Sequence, residues 1–272
     1  MKKLSLRMVS APRVLTIKST LLLMLAIASS VISCKKDKDN PTEEHIKAAT
    51  SIRLVHSSYL TSAATADLFV DDVKLNAGGP VTFAGASAYF PATAGSRKIV
   101  VKDAAGLSLA DTVLTISDGQ QYSLFLKDRA LVDEVSLIVK PLKRGLVPVV
   151  DNNTSAPASG KAKIRFVNMS SQPLNSLAAP ITFSRLTKVG NTTVATALTQ
   201  TLGLDLLTFS SDYTTQDAGE ITIRALGASS NTIDLTTTLE ADKLYTFYVV
   251  STQYTVKTPT KSPISLIVVQ NK

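Results

Sequence analysis

Two histidines, His45 and His56, and one cysteine, Cys34, are all that a chain of 272 residues offers for imidazole or thiol chemistry. A Ser/His/Asp relay needs a histidine held in a fold. His45 lies in a polar stretch ahead of the first alternating run, which leaves His56. That residue stands in phase with Ile52 and Leu54 at a strand end and is matched by Asn168 later in the chain. It therefore reads as a structural residue, hydrogen-bonded at the rim of a sheet. Asp67, Asp71 and Asp72 could be imagined as a Ca²⁺ site or a carboxylate pair. Neighbouring residues on a strand point to opposite faces, and Asp71-Asp72 sits where a hairpin turn belongs, so a solvated turn is expected instead. Gly85-Ala-Ser-Ala-Tyr89 fails the nucleophile-elbow pattern at its last position, and no Gly-rich phosphate loop follows a strand. The expectation is a non-enzymatic protein without cofactor or metal site.

Binding residues are sought among the aromatics. There is no Trp, which weakens a sugar-stacking platform without removing it. Tyr59 and Tyr254 lie in loops and are the candidate ligand-contacting side chains. Tyr122 and Tyr245 each open the penultimate strand of an alternating set and are expected to be structural, pinning a corner through their hydroxyls. Lys and Arg are scattered among acids with no interleaved aromatics, so nucleic-acid binding is not expected.

The charge distribution leads to the N-terminus. Formal net charge is +8 with pI near 9.5. Lys2, Lys3, Arg7, Arg13 and Lys18 stand in residues 1–33 with no acid; without those five, 24 of the 29 bases face 21 acids, a net +3. The five bases precede the apolar run Leu21 to Ile32, the pattern of a secretory signal. Lys18 interrupts the run before it reaches the roughly 20 residues of a membrane span. Val31-Ile-Ser-Cys34 ends it and resembles a lipobox, in which the cysteine receives diacylglycerol and becomes the mature N-terminus. The resemblance implies a membrane partner engaged through lipidated Cys34. At about 0.8 kcal/mol per buried CH₂, several acyl chains make such an anchor permanent. With Cys34 acylated no disulfide framework remains. Lys35-Lys-Asp-Lys-Asp-Asn-Pro41 is charged and free of apolar residues, a solvated tether. Similar charged runs follow the cysteine in Bacteroidota-type surface lipoproteins. The resemblance implies an exported outer-membrane lipoprotein, surface-exposed or facing the periplasm.

Beyond the tether, period-two alternation dominates and no window carries a 3.6-residue apolar stripe. The alternation repeats. Ser51–Ser58 matches Lys163–Ser170 at an offset of 112, Ser96–Asp128 runs without a gap against Gly219–Ser251 at 123, and Ser136–Val139 matches Ser265–Val268 at 129. A growing offset places the extra residues of the second copy between strands. In the first copy, strands are expected near 52–56, 67–75, 81–90 with a break at Gly85, 97–103, 111–117, 121–127 and 134–140. Seven short strands in about 100 residues suggest an immunoglobulin-like sandwich. The predicted fold is all-β: two tandem immunoglobulin-like antiparallel β-sandwich domains after a lipoprotein signal peptide and tether. Its boundaries are residues 1–33 for the signal peptide, 34–49 for the flexible tether and 50–143 for β-sandwich repeat 1. A Pro/Asn/Ser/Gly-rich linker follows at 144–161, and β-sandwich repeat 2 occupies 162–272.

Several of these segments together resemble the repeat family called domain of unknown function 4397. They are Arg53-Leu-Val-His56 and Arg165-Phe-Val-Asn168, Asp67-Leu-Phe-Val-Asp71, an Ala-Gly before a basic strand, and Gly119-Gln-Gln-Tyr122. The second copy departs from the pattern, with Pro180-Ile-Thr-Phe-Ser in place of the Asp-led strand and Asp242 in place of the glycine. The resemblance implies a β-sandwich at the cell exterior with no established activity. A lipid-anchored surface binding or structural interaction module, meeting an envelope protein or a glycan, is the leading functional expectation. The alternative is a carbohydrate-binding accessory lipoprotein of a polysaccharide-uptake system. Asp111-Thr112-Val113 also resembles the O-glycosylation signal of Bacteroidota exports.

Overall fold

The computed structural model describes residues 49–61, 65–132, 139–170, 181–199, 202, 210–227, 232–251 and 264–271. The signal, Cys34, most of the tether and Tyr254 lie outside the described residues. The regular structure of the described chain is strand, apart from one 3₁₀ turn, Tyr59–Thr61.

Eight strands make the first sandwich: β1 (Ser51–His56), β2 (Asp67–Val70), β3 (Val73–Lys74), β4 (Phe90–Pro91), β5 (Gly95–Lys102), β6 (Ser108–Ile116), β7 (Gln121–Val132) and β8 (Val139–Val150). They form two four-stranded sheets ordered β4-β1-β7-β8 and β3-β2-β5-β6. Alternate residues Ile52, Leu54, Leu124 and Leu126 of one sheet meet Leu68, Ile99, Val101 and Ile116 of the other, all buried. Eight more strands follow: β9 (Lys161–Asn168), β10 (Thr182–Val189), β11 (Thr192–Ala197), β12 (Thr214–Asp217), β13 (Gly219–Leu226), β14 (Thr232–Leu239), β15 (Leu244–Ser251) and β16 (Ile264–Gln270). Their sheets are ordered β12-β9-β15-β16 and β11-β10-β13-β14, the same order shifted by eight strands. Phe166, stacked on Phe183 at 4.5 Å between ring centres and tilted against Phe247, fills this second core.

The sandwich class agrees with the sequence reading, but its strand order is not immunoglobulin-like. An immunoglobulin sandwich divides its strands ABED and CFG. Here the first strand lies parallel to the seventh, with Ile52 opposite Tyr122, and β9 lies parallel to β15, with Ile164 opposite Tyr245. The sheets are therefore mixed. The segment expected as a strand at 81–90 instead crosses between sheets. Val81 bridges Ala66, a turn from Thr82 to Gly85 with Ala84 at φ 63° reverses the chain, and Ala86 bridges Val55.

Two register expectations also change. Val150 pairs with Tyr122 and Gln270 with Tyr245, so β8 and β16 correspond at an offset of 120. The four-residue match at 129 is coincidental, and residues 144–150, expected to open the Pro/Asn/Ser/Gly-rich linker, are the end of β8. Pro148 is tolerated there because β8 is an edge strand. The ungapped match holds for β6 and β7 against β14 and β15, but β5 is displaced by one residue. Ile99 faces Thr112 where Ile223 faces Leu235, giving an offset of 124 for β5. A one-residue slip exchanges the faces of a strand, and only this register puts Ile99 and Val101 inside with Ile223 and Ala225.

The two sandwiches pack through the sheets that hold β1 and β9. A third apolar cluster joins Val55, Phe125, Val147 and Val149 to Val167, Met169, Tyr248 and Val250, with the Phe125 and Tyr248 rings edge to face at 5.4 Å. For this reason β1 and β15 are buried on both faces along their whole length.

Candidate functional site

Next to that apolar cluster lies a polar one with near twofold symmetry, and it contains most of the buried hydrogen-bonding chemistry of the interface. Arg53 on β1 and Arg165 on β9 occupy corresponding strand positions whose neighbours are core residues. Arg165 reaches out of the second sandwich to the end of the first. Its guanidinium pairs with the Asp151 carboxylate and donates to the Val150 carbonyl at 2.5 Å and, through Nε, to Thr246 Oγ1 at 2.9 Å. Arg53 performs the reciprocal act. It donates to Ser123 Oγ at 2.7 Å, to the Gln270 carbonyl at 2.9 Å and to Asn271 Oδ1 at 2.5 Å. Each guanidinium also lies over a tyrosine ring, Arg53 over Tyr89 at 4.6 Å and Arg165 over Tyr213 at 4.9 Å.

The acceptors are satisfied from both sides. Asp151 Oδ2 accepts from Tyr89 Oη and from Ser123 Oγ, each at 2.6 Å. Tyr213 Oη donates to the Asp151 carbonyl at 2.8 Å and accepts from Asn271 Nδ2 at 2.6 Å. Both tyrosines are half-buried. Burial, then the neighbouring Asp151 charge, raises the Tyr89 hydroxyl well above its ordinary range, and Arg53 opposes this only in part. Burial likewise raises Tyr213, against the Arg165 charge. Tyr248, which donates to the Ala84 carbonyl at 2.9 Å across the interface, is raised by burial too. This arrangement fixes two bodies together. Its carboxylate is fully buried and occupied by protein donors.

Of the residues singled out in the sequence, Tyr122 and Tyr245 show one geometry twice. The Tyr122 hydroxyl accepts the Ser117 N–H at 3.1 Å, and the Tyr245 hydroxyl accepts the Glu240 N–H at 2.9 Å. Gly119 and Asp242 take the same left-handed conformation in the preceding turns, at φ 72° and 64°. Aspartate tolerates that region better than most residues, so the turn survives the exchange. Tyr59 lies half-buried on the 3₁₀ turn, its ring 6.2 Å from that of Phe83. His56 is buried, edge-on to the same Phe83 at 5.9 Å. The structure thus brings Tyr59 and His56 to one aromatic residue. Asp71 and Asp72 form the β2–β3 turn with φ 47° and 66°, and their carboxylates meet Arg97 at 3.2 Å and Lys98 at 2.9 Å. Thr112 stands in β6 opposite the buried Ile99.

Among the described residues no group of three or more His, Cys, Asp or Glu side chains converges as a metal site would require. A groove of about 370 Å³ lies beside β4, lined by Asn76, Pro80, Thr82, Ser87 and Phe90 among others, without a titratable side chain. The Asp151 cluster went unforeseen in the sequence. Its signal was an arginine at the same place between apolar residues of two strands, Ile52 and Leu54 in one and Ile164 and Phe166 in the other, together with Leu146–Asn152 against Leu266–Lys272.

Fold and site together define an all-β pair of sandwiches joined by reciprocal arginine clasps. Residues 50–175 match the family described as Domain of unknown function (DUF4397). The match extends through β9 and so contains both Asp151 and Arg165. Comparison with curated proteins found no match. Among solved structures, the chain is similar to the tip fimbrial protein Mfa3 from Porphyromonas gingivalis with C-terminal truncation. Identity is 9%, covering 80% of this chain and 98% of that one, with a TM-score of 0.24. It is also similar to a candidate cell adhesion protein from Parabacteroides distasonis, at 8% identity over 82% of this chain and 99% of that one, with a TM-score of 0.19. Similarities of this size assign no role.

Proposed function

We propose that the chain is an exported lipoprotein of the outer membrane, acylated on Cys34 and tethered by residues 34–49, that acts as a non-enzymatic interaction module in the cell envelope. The observation supporting the module is the use made of its reactive groups. Arg53, Arg165 and Asp151 are buried and bound to one another's neighbourhoods, so the surface left for a partner is that of outer sheets and loops. The anchor rests on the basic and apolar N-terminus ending at the lone cysteine. Ligand specificity is assigned to the loops that differ between the copies, 57–66, 169–179 and 252–262, with Tyr59 and Tyr254 as contact residues.

The test has two parts. Cys34→Ser should leave the protein unacylated and move it out of the membrane fraction after signal removal; a Cys34→Ser protein that stays membrane-bound contradicts the anchor. Purified residues 41–272 should retain an envelope protein or glycan from extract, and Tyr59→Ala with Tyr254→Ala should reduce retention without lowering the melting temperature. Retention unaffected by both substitutions removes the loops from the reading.

A further inference from the structure

The two sandwiches protect one pair of matching edges very differently. In the first, β2 turns at Asp71-Asp72 into a two-residue edge strand, β3. Its Lys74 is tied to Asp67 at 2.8 Å, and the chain then turns away through Gly78-Gly79-Pro80. A short, charged edge followed by proline is a poor template for another strand. In the second sandwich Arg185 takes the position of Val70, because Val70 faces Ile99 and Arg185 faces Ile223. There the hairpin does not turn but continues four residues further, to the pair Val189–Thr192 closed by Gly190-Asn191. Gly190 at φ 63° supplies the first turn position that a two-residue hairpin of this kind requires.

The result is β11, Thr192-Thr-Val-Ala-Thr-Ala197, at the end of its sheet. All six residues are exposed, none is charged and none is proline. Val189 and Val194 are exposed, at 62% and 44%. The hydrogen-bond phase is set by Leu198, whose N–H meets the Phe183 carbonyl directly opposite at 2.8 Å. Counting by two from that pair, Thr192, Val194 and Thr196 bond to β10, and the N–H and C=O groups of Thr193, Ala195 and Ala197 point away from the sheet.

We propose that β11 is a pairing edge for β11 of a second copy of this chain, in antiparallel register. An added strand is the one structure that satisfies a row of outward main-chain donors and acceptors at alternate residues. A second copy fits it for three reasons. Its strand is already extended and ordered, so pairing does not carry the ordering cost of a flexible peptide. It is neutral, so no like charges are set opposite each other. And antiparallel pairing with Ala195 opposite its own copy satisfies all three outward residues at once, since Thr193 then faces Ala197 in both directions. In that register Val194 faces Thr196 on the other side of the sheet, a favourable β-branched pair. The two outer sheets become one eight-stranded sheet across the dimer. A contact of one strand buries much less than the roughly 1,200 Å² of a durable interface, so the dimer exchanges rapidly. The inference is independent of the anchor and of any ligand.

The full mature chain carrying Cys34→Ser, followed by sedimentation over a wide concentration range, should pass from monomer to dimer. Ala195→Pro removes one outward N–H and leaves the β10 ladder intact, so it should weaken association about tenfold or more. Thr193→Lys, which sets a charge on the same edge, should do likewise. Ala195→Cys in the Cys34→Ser background, where it is the only thiol, should give a disulfide dimer under mild oxidation. A chain that is monomeric at every concentration overturns the proposal. So does a dimer unaffected by both edge substitutions, or an Ala195→Cys protein that does not cross-link.

Discussion

Arg165, on the first strand of the second sandwich, clasps Asp151, the residue that follows the last strand of the first. The mirror contact, Arg53 on Asn271, has an amide where this one has a carboxylate. The two clasps should therefore differ in energy. Arg165→Ala strands a buried carboxylate that keeps only the Tyr89 and Ser123 hydroxyls, and removing one member of a buried pair costs about 3–5 kcal/mol. Arg53→Ala leaves neutral acceptors behind and should cost about 2 kcal/mol. Chemical denaturation of both variants measures the difference, and equal losses would mean that the carboxylate contributes nothing special.

The interface also bears on whether one sandwich can stand alone. Because β8 runs to Val150, a fragment ending at the expected repeat boundary, residue 143, cuts a strand, and the useful fragment is 49–152. It should fold with a β-rich spectrum, since its core is complete within it. It should also self-associate, because Val55, Phe125, Val147 and Val149 are left uncovered. Phe125→Lys in the fragment should restore a monomer. A monomeric, folded wild-type fragment would show that the third cluster is not adhesive.

How much of this could be read beforehand depended on whether the signal was local. Alternation gave the strands, because each residue's face follows from its neighbours. The glycine-to-aspartate exchange at 242 obscured the second corner, yet Tyr245 still marked it. Strand order was not legible: parallel pairing of β1 with β7 joins residues about 70 apart, and nothing in either strand names its neighbour. The Asp151 clasp failed for a related reason. Asp-Asn-Asn-Thr-Ser reads as a solvated linker, and only the arriving Arg165 makes its first residue part of a buried interface.

The corner tyrosines allow a test of one hydrogen bond in two settings. Tyr122→Phe and Tyr245→Phe keep the ring and remove the acceptor of the Ser117 and Glu240 N–H groups, so each should cost about 1 kcal/mol. Substitution by Ala adds a cavity and should cost about 3 kcal/mol or more. Thermal melts of the four variants decide it; a Phe variant as damaging as its Ala counterpart would place the contribution in the hydroxyl alone.

The buried interface should also limit stability in alkali. The Tyr89 hydroxyl is raised by burial and then by Asp151, Tyr213 chiefly by burial, and Tyr248 by burial, while Arg53 or Arg165 opposes each shift incompletely. A tyrosine whose pKa is higher folded than unfolded keeps its proton in the native state after the unfolded chain has begun to lose it. Its contribution is complete below the unfolded value of about 10 and is lost progressively as pH rises toward the folded value. The stability curve should therefore fall from about pH 10 upward, and near-ultraviolet tyrosinate absorbance should rise in two stages. Tyr89, Tyr213 and Tyr248 should ionise only as the protein unfolds. Tyr89→Phe supplies the control. It gives up the hydrogen bond to Asp151, so it should be less stable at neutral pH, yet its stability should decline less steeply above pH 10 because one resisting phenol is gone. A single-stage titration, or an unchanged slope in Tyr89→Phe, would show that these hydroxyls do not govern the alkaline transition.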